Sequence, residues 1–202
     1  MRALYVTHPQ VVIDPDVPVP QWGLSAIGLA RAEAFAARNL VPANALIFSS
    51  DERKAMELAG TIAGRIGASV ISDPQMGEND RSATGFLPSD KFEATANRFF
   101  AEPLVSVDGW ERAIDAQARI VEAVTAAMAR VPAGQLAVFC GHGAVGTLLK
   151  CHLGRWAISR SEDQSRHGNP GGGNGFVFDL ADRRLYCDWT PFEDLQGELI
   201  TG

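Results

Sequence analysis

Cysteine is scarce in this sequence: Cys140, Cys151 and Cys187 are an odd number with no Cys-x-x-Cys spacing. That argues against a disulfide framework or a spaced zinc site and fits reduced thiols in a cytoplasm. No run approaches the roughly 18 apolar residues of a membrane span. The apolar run in MRALYVTHP is too short for the core of a signal peptide, so a cytoplasmic location is expected. An excess of positive charge is also missing. With 18 Lys and Arg against 24 Asp and Glu, the formal net charge is −6, which argues against nucleic acid or an anionic membrane as the main partner. A basic pocket for a small anion stays compatible with that balance. Neither G-x-G-x-x-G nor G-x-x-x-x-G-K-[ST] follows an apolar run, which disfavours a nucleotide-binding α/β domain. There is no internal repeat and no low-complexity tail.

What is there is a chain of 202 residues, 46% hydrophobic, with ample material for a core. The expectation is one domain over 1–202 with a variable insertion at about 79–109. Short apolar runs predict strands at ALYV, ALIF, ASVIS and LAVFC, with FVFDL and RLYCDW as two antiparallel strands at the edge. Between them, Ser25 caps a predicted helix to about Asn39, and Ser50 caps one from Asp51 to Ile66 that Gly67 stops. A shorter helix is expected around 91–101. An amphipathic one over 111–130 places Ile114, Ala118, Val121, Thr125 and Met128 on one face. Strands alternating with helices imply an α/β three-layer sandwich, a mostly parallel sheet with helices on both faces.

Ligands of such sheets bind at the carboxyl ends of the strands. Three strands end there in polar residues: the first on His8, the second on Ser49-Ser50 with Arg53 in the next helical turn, and LAVFC on Gly141-His142-Gly143. Pro9 stops the first strand, because it has no N–H to continue the ladder. Two imidazoles, a guanidinium and helix N-termini offer a phosphoryl group a nucleophile, charge neutralisation and directed donors.

At these positions the chain resembles the histidine phosphatase superfamily, the phosphoglycerate mutase-like fold. LYVTHP stands where that family has a strand and Arg-His-Gly. LSAIGLARAEAFA resembles its Leu-Thr-x-x-Gly-x-x-Gln-Ala helix, and IFSSDERKAMELA its Ser-Ser-x-x-x-Arg-x-x-x-Thr-Ala segment. MGEND sits where the family has the glutamate of its Leu-x-Glu motif, GWERAIDAQARI resembles its Glu-Ser…Arg helix start, and VFCGHGAV resembles its Val-x-His-Gly-Gly. The resemblance implies that His8 takes the phosphoryl group, that Arg53 and His142 hold its oxygens, and that Glu78 protonates the leaving alcohol and then activates water. It implies a small phosphorylated substrate, no cofactor and no metal. A neutral imidazole is a good nucleophile at pH 7, whereas a carboxylic acid donates only if its pKa is raised.

The chain also departs from the pattern. Thr7 and Pro9 replace the arginine and glycine of the first motif, and a hydroxyl is a weaker partner than a forked cation. Losing one charged donor typically costs about 2.7–4 kcal/mol in the transition state. A literal Arg166-His167-Gly168 lies in a polar, Gly-rich loop, with no apolar run before it. That loop leads to Asn174-Gly175, so Arg166 or His167 is placed to supply the lost charge. Two readings therefore stand: a phosphatase, and a catalytically weak or inactive relative that binds a phosphorylated ligand or a protein. The resemblance also disfavours a mutase, because the family's mutases carry a longer, more basic central insertion, whereas residues 79–109 hold only Arg81, Lys91 and Arg98 as basic residues. The closing WTPFEDLQGELI has enough apolar residues to dock on its own core or on a second copy in a homodimer.

Overall fold

The computed structural model describes residues 1–201. The ALYV run forms β1 (Arg2–Thr7), buried on both faces. A strand covered on both sides needs no polar alternation, which is why it is continuously apolar. Around it stand β2 (Leu46–Ser49), β3 (Val70–Ser72), β4 (Ala137–Gly141), β5 (Asn174–Asp179), β6 (Arg184–Leu185) and β7 (Thr190–Pro191). The seven-stranded sheet runs β3-β2-β4-β1-β5-β6, with β7 also on β5. The β1–β4, β2–β4 and β2–β3 pairs are parallel, whereas β5 runs antiparallel to β1, β6 and β7. The expected strand at RLYCDW shortens to two residues, Arg184–Leu185.

The helices are α1 (Ala26–Ala37), α2 (Arg53–Ile66), α3 (Ser89–Ala101), α4 (Ala113–Met128), α5 (Gly143–Gly154), α6 (Gln164–His167) and α7 (Gly197–Thr201). On one face of the sheet, Tyr5, Phe48, Phe139, Phe176 and Phe178 pack with residues of α3, α4 and α5. On the other, Leu4, Val6, Ile47, Val138 and Val177 pack with Ala32 and Phe35 of α1 and Leu58 and Ile62 of α2. Phe192, Leu195 and Ile200 complete this second core, so the closing segment docks on its own chain.

Two local expectations change. Ser25 caps α1 as anticipated, its hydroxyl accepting the Gly28 N–H. Ser50 does not cap α2, whose N-cap is Glu52. The Ser50 hydroxyl meets His142 Nε2 at 2.7 Å and accepts the Glu52 N–H at 3.3 Å, just ahead of the helix. The face of α4 is also rotated from the expected one. Ala118 and Thr125 are exposed, and the buried stripe is Ala113, Ala116, Ile120, Ala123, Val124 and Ala127. Alanines carry little apolar signal, but their small size lets α4 pack closely on α5 and its surroundings.

Register brings the site together. Thr7 lies opposite Gly141 and Ser49 opposite Cys140, so β1, β2 and β4 end at one edge. The His8 N–H then donates to the Gly141 carbonyl at 3.0 Å, and the Ser50 N–H to Cys140 at 3.3 Å. His8, Ser50 and His142 are neighbours because of this alignment.

Candidate active site

His8 leaves β1 at the rim of a cleft of about 250 Å³. Its Nδ1 lies 2.9 Å from the Pro9 carbonyl oxygen. A carbonyl only accepts, so this bond requires the proton on Nδ1 and leaves Nε2 of the neutral ring with its lone pair. Burial lowers the His8 pKa to about 4, against the partial opposition of that bond, and nearby Lys54 pushes it the same way as burial. The ring is therefore neutral, with a fixed tautomer, at any pH near 7.

His142 N-caps α5 and is fully buried. Its ring meets that of His8 at 5.3 Å between centroids, nearly edge-on. Nε2 is held by Ser50 Oγ, while Nδ1 has no hydrogen-bond partner. Burial holds its pKa well below the usual value, although Glu52 pulls the other way. The Tyr5 hydroxyl fixes the turn by accepting the His142 N–H and donating to the His142 carbonyl, both at 3.1 Å. A Cβ on Gly141 would lie 2.3 Å from that hydroxyl oxygen, so the residue before His142 has to be glycine.

Glu78 reaches the same cleft from the loop after β3. Its carboxylate accepts the Val145 N–H at 3.0 Å and the Ala144 N–H at 3.2 Å, which places it on the α5 N-terminus. The donors that the sequence assigns to an incoming anion are thus engaged by Glu78. Burial nevertheless raises its pKa; the charge of Arg81 opposes this and that of Glu52 adds to it. The cleft thus sets a carboxyl whose proton is held more tightly than usual beside an imidazole that is unprotonated near pH 7.

The cations differ from expectation. Arg53 is turned outward: its side chain is 65% exposed and pairs with Glu57 at 2.7 Å. Glu57 in turn accepts the Leu24 N–H, so the pair ties α2 to the loop before α1. The reason is one of spacing. Counting Ser-Ser-x-x-x-Arg from Ser49 puts the arginine position on Lys54, one residue later, and in a helix one residue turns the side chain by about 100°. Lys54 is buried and lines the cleft with His8. Its ammonium is paired with Glu52 and donates to the Val19 carbonyl at 3.1 Å. Burial works against ionisation of Glu52, but His142, Lys54 and the Glu78 N–H outweigh it and hold its pKa at about 2. Much of the Lys54 charge is therefore neutralised in place.

Thr7 is buried and does not line the cleft. Its hydroxyl donates to Gln164 Oε1 at 2.7 Å and accepts the Asn174 N–H at 3.1 Å. Asn174 Nδ2 donates to the same Gln164 oxygen at 2.8 Å. With its oxygen held twice, Gln164 turns its amide nitrogen toward Gly143 at the cleft wall. Where the family motif has a guanidinium, this chain has a threonine that orients a neutral amide.

The Arg166-His167-Gly168 loop stays apart. Arg166 is exposed on α6, and the cleft is lined by Gln164 and Ser165 rather than by it. His167 faces away, toward the Ser161 carbonyl and Asp188. Glu162, His167 and Asp188 cluster there, yet the buried Lys150 ammonium already pairs with both carboxylates. Sequence reasoning missed Lys54, Glu52, Gln164 and Arg81 as parts of the site. For Lys54 the signal was present in the motif count; the others are joined to His8 only by folding.

Comparison with known proteins follows the same lines. A model of the histidine phosphatase superfamily (branch 1) matches residues 11–169, beginning three residues after His8. No curated protein matches the sequence. Among solved structures, a mycobacterial glucosyl-3-phosphoglycerate phosphatase bound to inorganic phosphate is 21% identical, with a TM-score of 0.75, covering 96% of this chain and 99% of that one. Mycobacterial hydrolase 1 is 22% identical with a TM-score of 0.72, covering 92% and 96%. Bacillus stearothermophilus YhfR is 18% identical with a TM-score of 0.74, covering 92% and 94%. At these identities the likeness is one of fold. No helix among the described residues is long and apolar enough to cross a membrane.

Proposed function

This chain belongs to the histidine phosphatase superfamily (branch 1), and from that premise we propose that it hydrolyses a small phosphomonoester through a phosphohistidine at His8, without a metal. The observation that carries the proposal is the His8 tautomer: Nδ1–H is committed to Pro9, so the unprotonated Nε2 is the nucleophile. In the first step Nε2 bonds to phosphorus as the ester P–O bond breaks, and the Glu78 carboxyl gives its proton to the leaving oxygen. In the second, the Glu78 carboxylate takes a proton from water, the water oxygen bonds to phosphorus, and the N–P bond breaks. Neutral His8 and the Glu78 carboxyl are restored, and no electrons change hands.

A second reading has its own support. With Arg53 outward, Lys54 paired and the Thr7 hydroxyl spent, the anion clamp is thinner than the family pattern. A protein that holds a phosphorylated ligand without turning it over fits that thinning. The deciding experiment is turnover of p-nitrophenyl phosphate in EDTA, with an alkaline quench and mass analysis of the protein. Turnover with an alkali-stable, acid-labile phosphoryl adduct on His8 supports the phosphatase. Phosphate binding with neither turnover nor adduct supports the binding protein.

The pH dependence follows from the two perturbed groups. His8 titrates at about 4 and Glu78 above its usual 4.5. The nucleophile must be unprotonated and the acid protonated, so kcat/KM should rise through about pH 4 and fall as Glu78 ionises. Glu78→Gln should remove the alkaline limb and lower the rate roughly 10²- to 10⁴-fold. A profile of kcat/KM with no dependence on residue 78 would contradict the assignment. Stability has the opposite concern. The unfolded chain binds a proton at the ordinary histidine pKa of 6.5 while folded His8 waits until about 4, so its contribution is lost as pH falls through that window.

A further inference from the structure

The cations around the cleft are not equivalent. Lys54 is paired with Glu52, and Arg160 with Glu93 at 2.7 Å. Arg81, which lines the same cleft, has no carboxylate within 4 Å among the described residues. Nearby acids are engaged elsewhere: Glu78 on the Ala144 and Val145 N–H groups, Glu111 on Arg119 at 2.8 Å, and Asp80 on the Ser82 N–H at 2.8 Å.

What holds Arg81 is aromatic. Its guanidinium carbon lies 5.2 Å from the ring centre of Phe92 on α3 and 5.6 Å from that of Trp110. Trp110 is itself fixed, its indole N–H donating to Thr84 Oγ1 at 2.8 Å, while the Arg81 carbonyl accepts the Thr84 N–H at 3.1 Å. Stacking on π faces orients a guanidinium while leaving both its charge and its in-plane N–H donors unspent. An ion pair would consume both. The charge of Arg81 is also felt at Glu78, His8 and His142, which places it among the reacting groups.

We propose that Arg81 is the principal anion-binding residue of this site, a guanidinium delivered from the 79–109 segment in place of the cation that Thr7 does not supply. The inference rests on the phosphatase-fold reading of the cleft as a phosphate site, and it holds for the hydrolase and the binding protein alike. It assigns Arg81 a fork onto two oxygens of a tetrahedral oxyanion, with the uncompensated positive charge of the cleft concentrated there.

Calorimetric titration of the intact protein with inorganic phosphate tests it. Arg81→Met should weaken phosphate binding roughly 10- to 100-fold, the range of a charged hydrogen-bonding group lost from a bound anion. Arg53→Met, an outward cation, should leave it unchanged. Arg81→Lys keeps the charge but not the fork, and should fall between wild type and Arg81→Met. Unchanged phosphate affinity in Arg81→Met, with an unchanged melting curve, overturns the proposal. If Arg81→Met does not fold, affinity of Arg81→Lys equal to wild type overturns it instead. Wild-type protein that binds no phosphate overturns it as well. Absence of turnover or of a phosphoryl adduct alongside intact, Arg81-dependent phosphate binding would remove the hydrolase reading and leave this one standing.

Discussion

His8→Ala should reduce phosphate release to background, a loss of about 10⁴-fold or more, while leaving the melting temperature close to wild type. Removing a covalent nucleophile removes the pathway itself; in enzymes of this logic it costs as much as removing the whole catalytic unit. The fold should tolerate the change. The bond that seats residue 8 is made by its backbone N–H to Gly141, which alanine keeps, and the side chain is only partly enclosed. The phosphoryl adduct should vanish with the turnover. Phosphate affinity should persist, since the anion is held by other groups. Residual turnover of a tenth or more of wild type in His8→Ala would place the nucleophile elsewhere and end the phosphohistidine assignment.

Gly172→Ala is expected to act on stability and on rate together, from outside the cleft. Gly172 sits at φ +76°, and a Cβ there would lie 2.2 Å from the carbonyl oxygen of His8. Forcing an L-residue into that region costs about 1–2 kcal/mol, and relieving an overpacked contact a further ~1–3 kcal/mol. Together they approach the lower end of the roughly 5–15 kcal/mol that holds a typical domain. The neighbour is a backbone atom, so it cannot turn aside as a side chain would. The same carbonyl accepts the Gly173 N–H at 3.2 Å, and His8 would shift with it. A displacement near 1 Å typically costs about 10²-fold in rate. Denaturant unfolding beside p-nitrophenyl phosphate turnover measures both. A variant within about 0.5 kcal/mol of wild type would show that the loop yields instead.

Much of this molecule can be read from its sequence, and the limits have physical causes. Buried strands announce themselves because both faces are apolar, so β1, β2 and β4 stand out, and register then brings His8 and His142 to one edge. Arg53 draws attention one residue before the position that the motif count gives, Lys54, because charge type is easier to notice than helical phase. The face of α4 misled because an alanine stripe is nearly silent on a hydrophobicity pattern while packing well. Thr7 read as a weak phosphate partner, whereas its hydroxyl is consumed by Gln164 and Asn174, residues far along the chain. Arg81 sits in a stretch with no periodicity, and its partners Phe92 and Trp110 meet it only after α3 has docked.

The position of β1 between β4 and β5 sets how the two halves of the site come apart. Amides along β1 are locked in ladders with both neighbours, so they should exchange with solvent deuterium only when the whole sheet opens. The turn around Arg81 has no ladder partner; it is held by bonds within 81–85 and by a few contacts to Trp110 and Glu111. An opening of this segment that leaves the sheet intact would withdraw the cation while the imidazole stays in register. Phosphate should slow exchange across 79–110 and leave the already protected β1 unchanged.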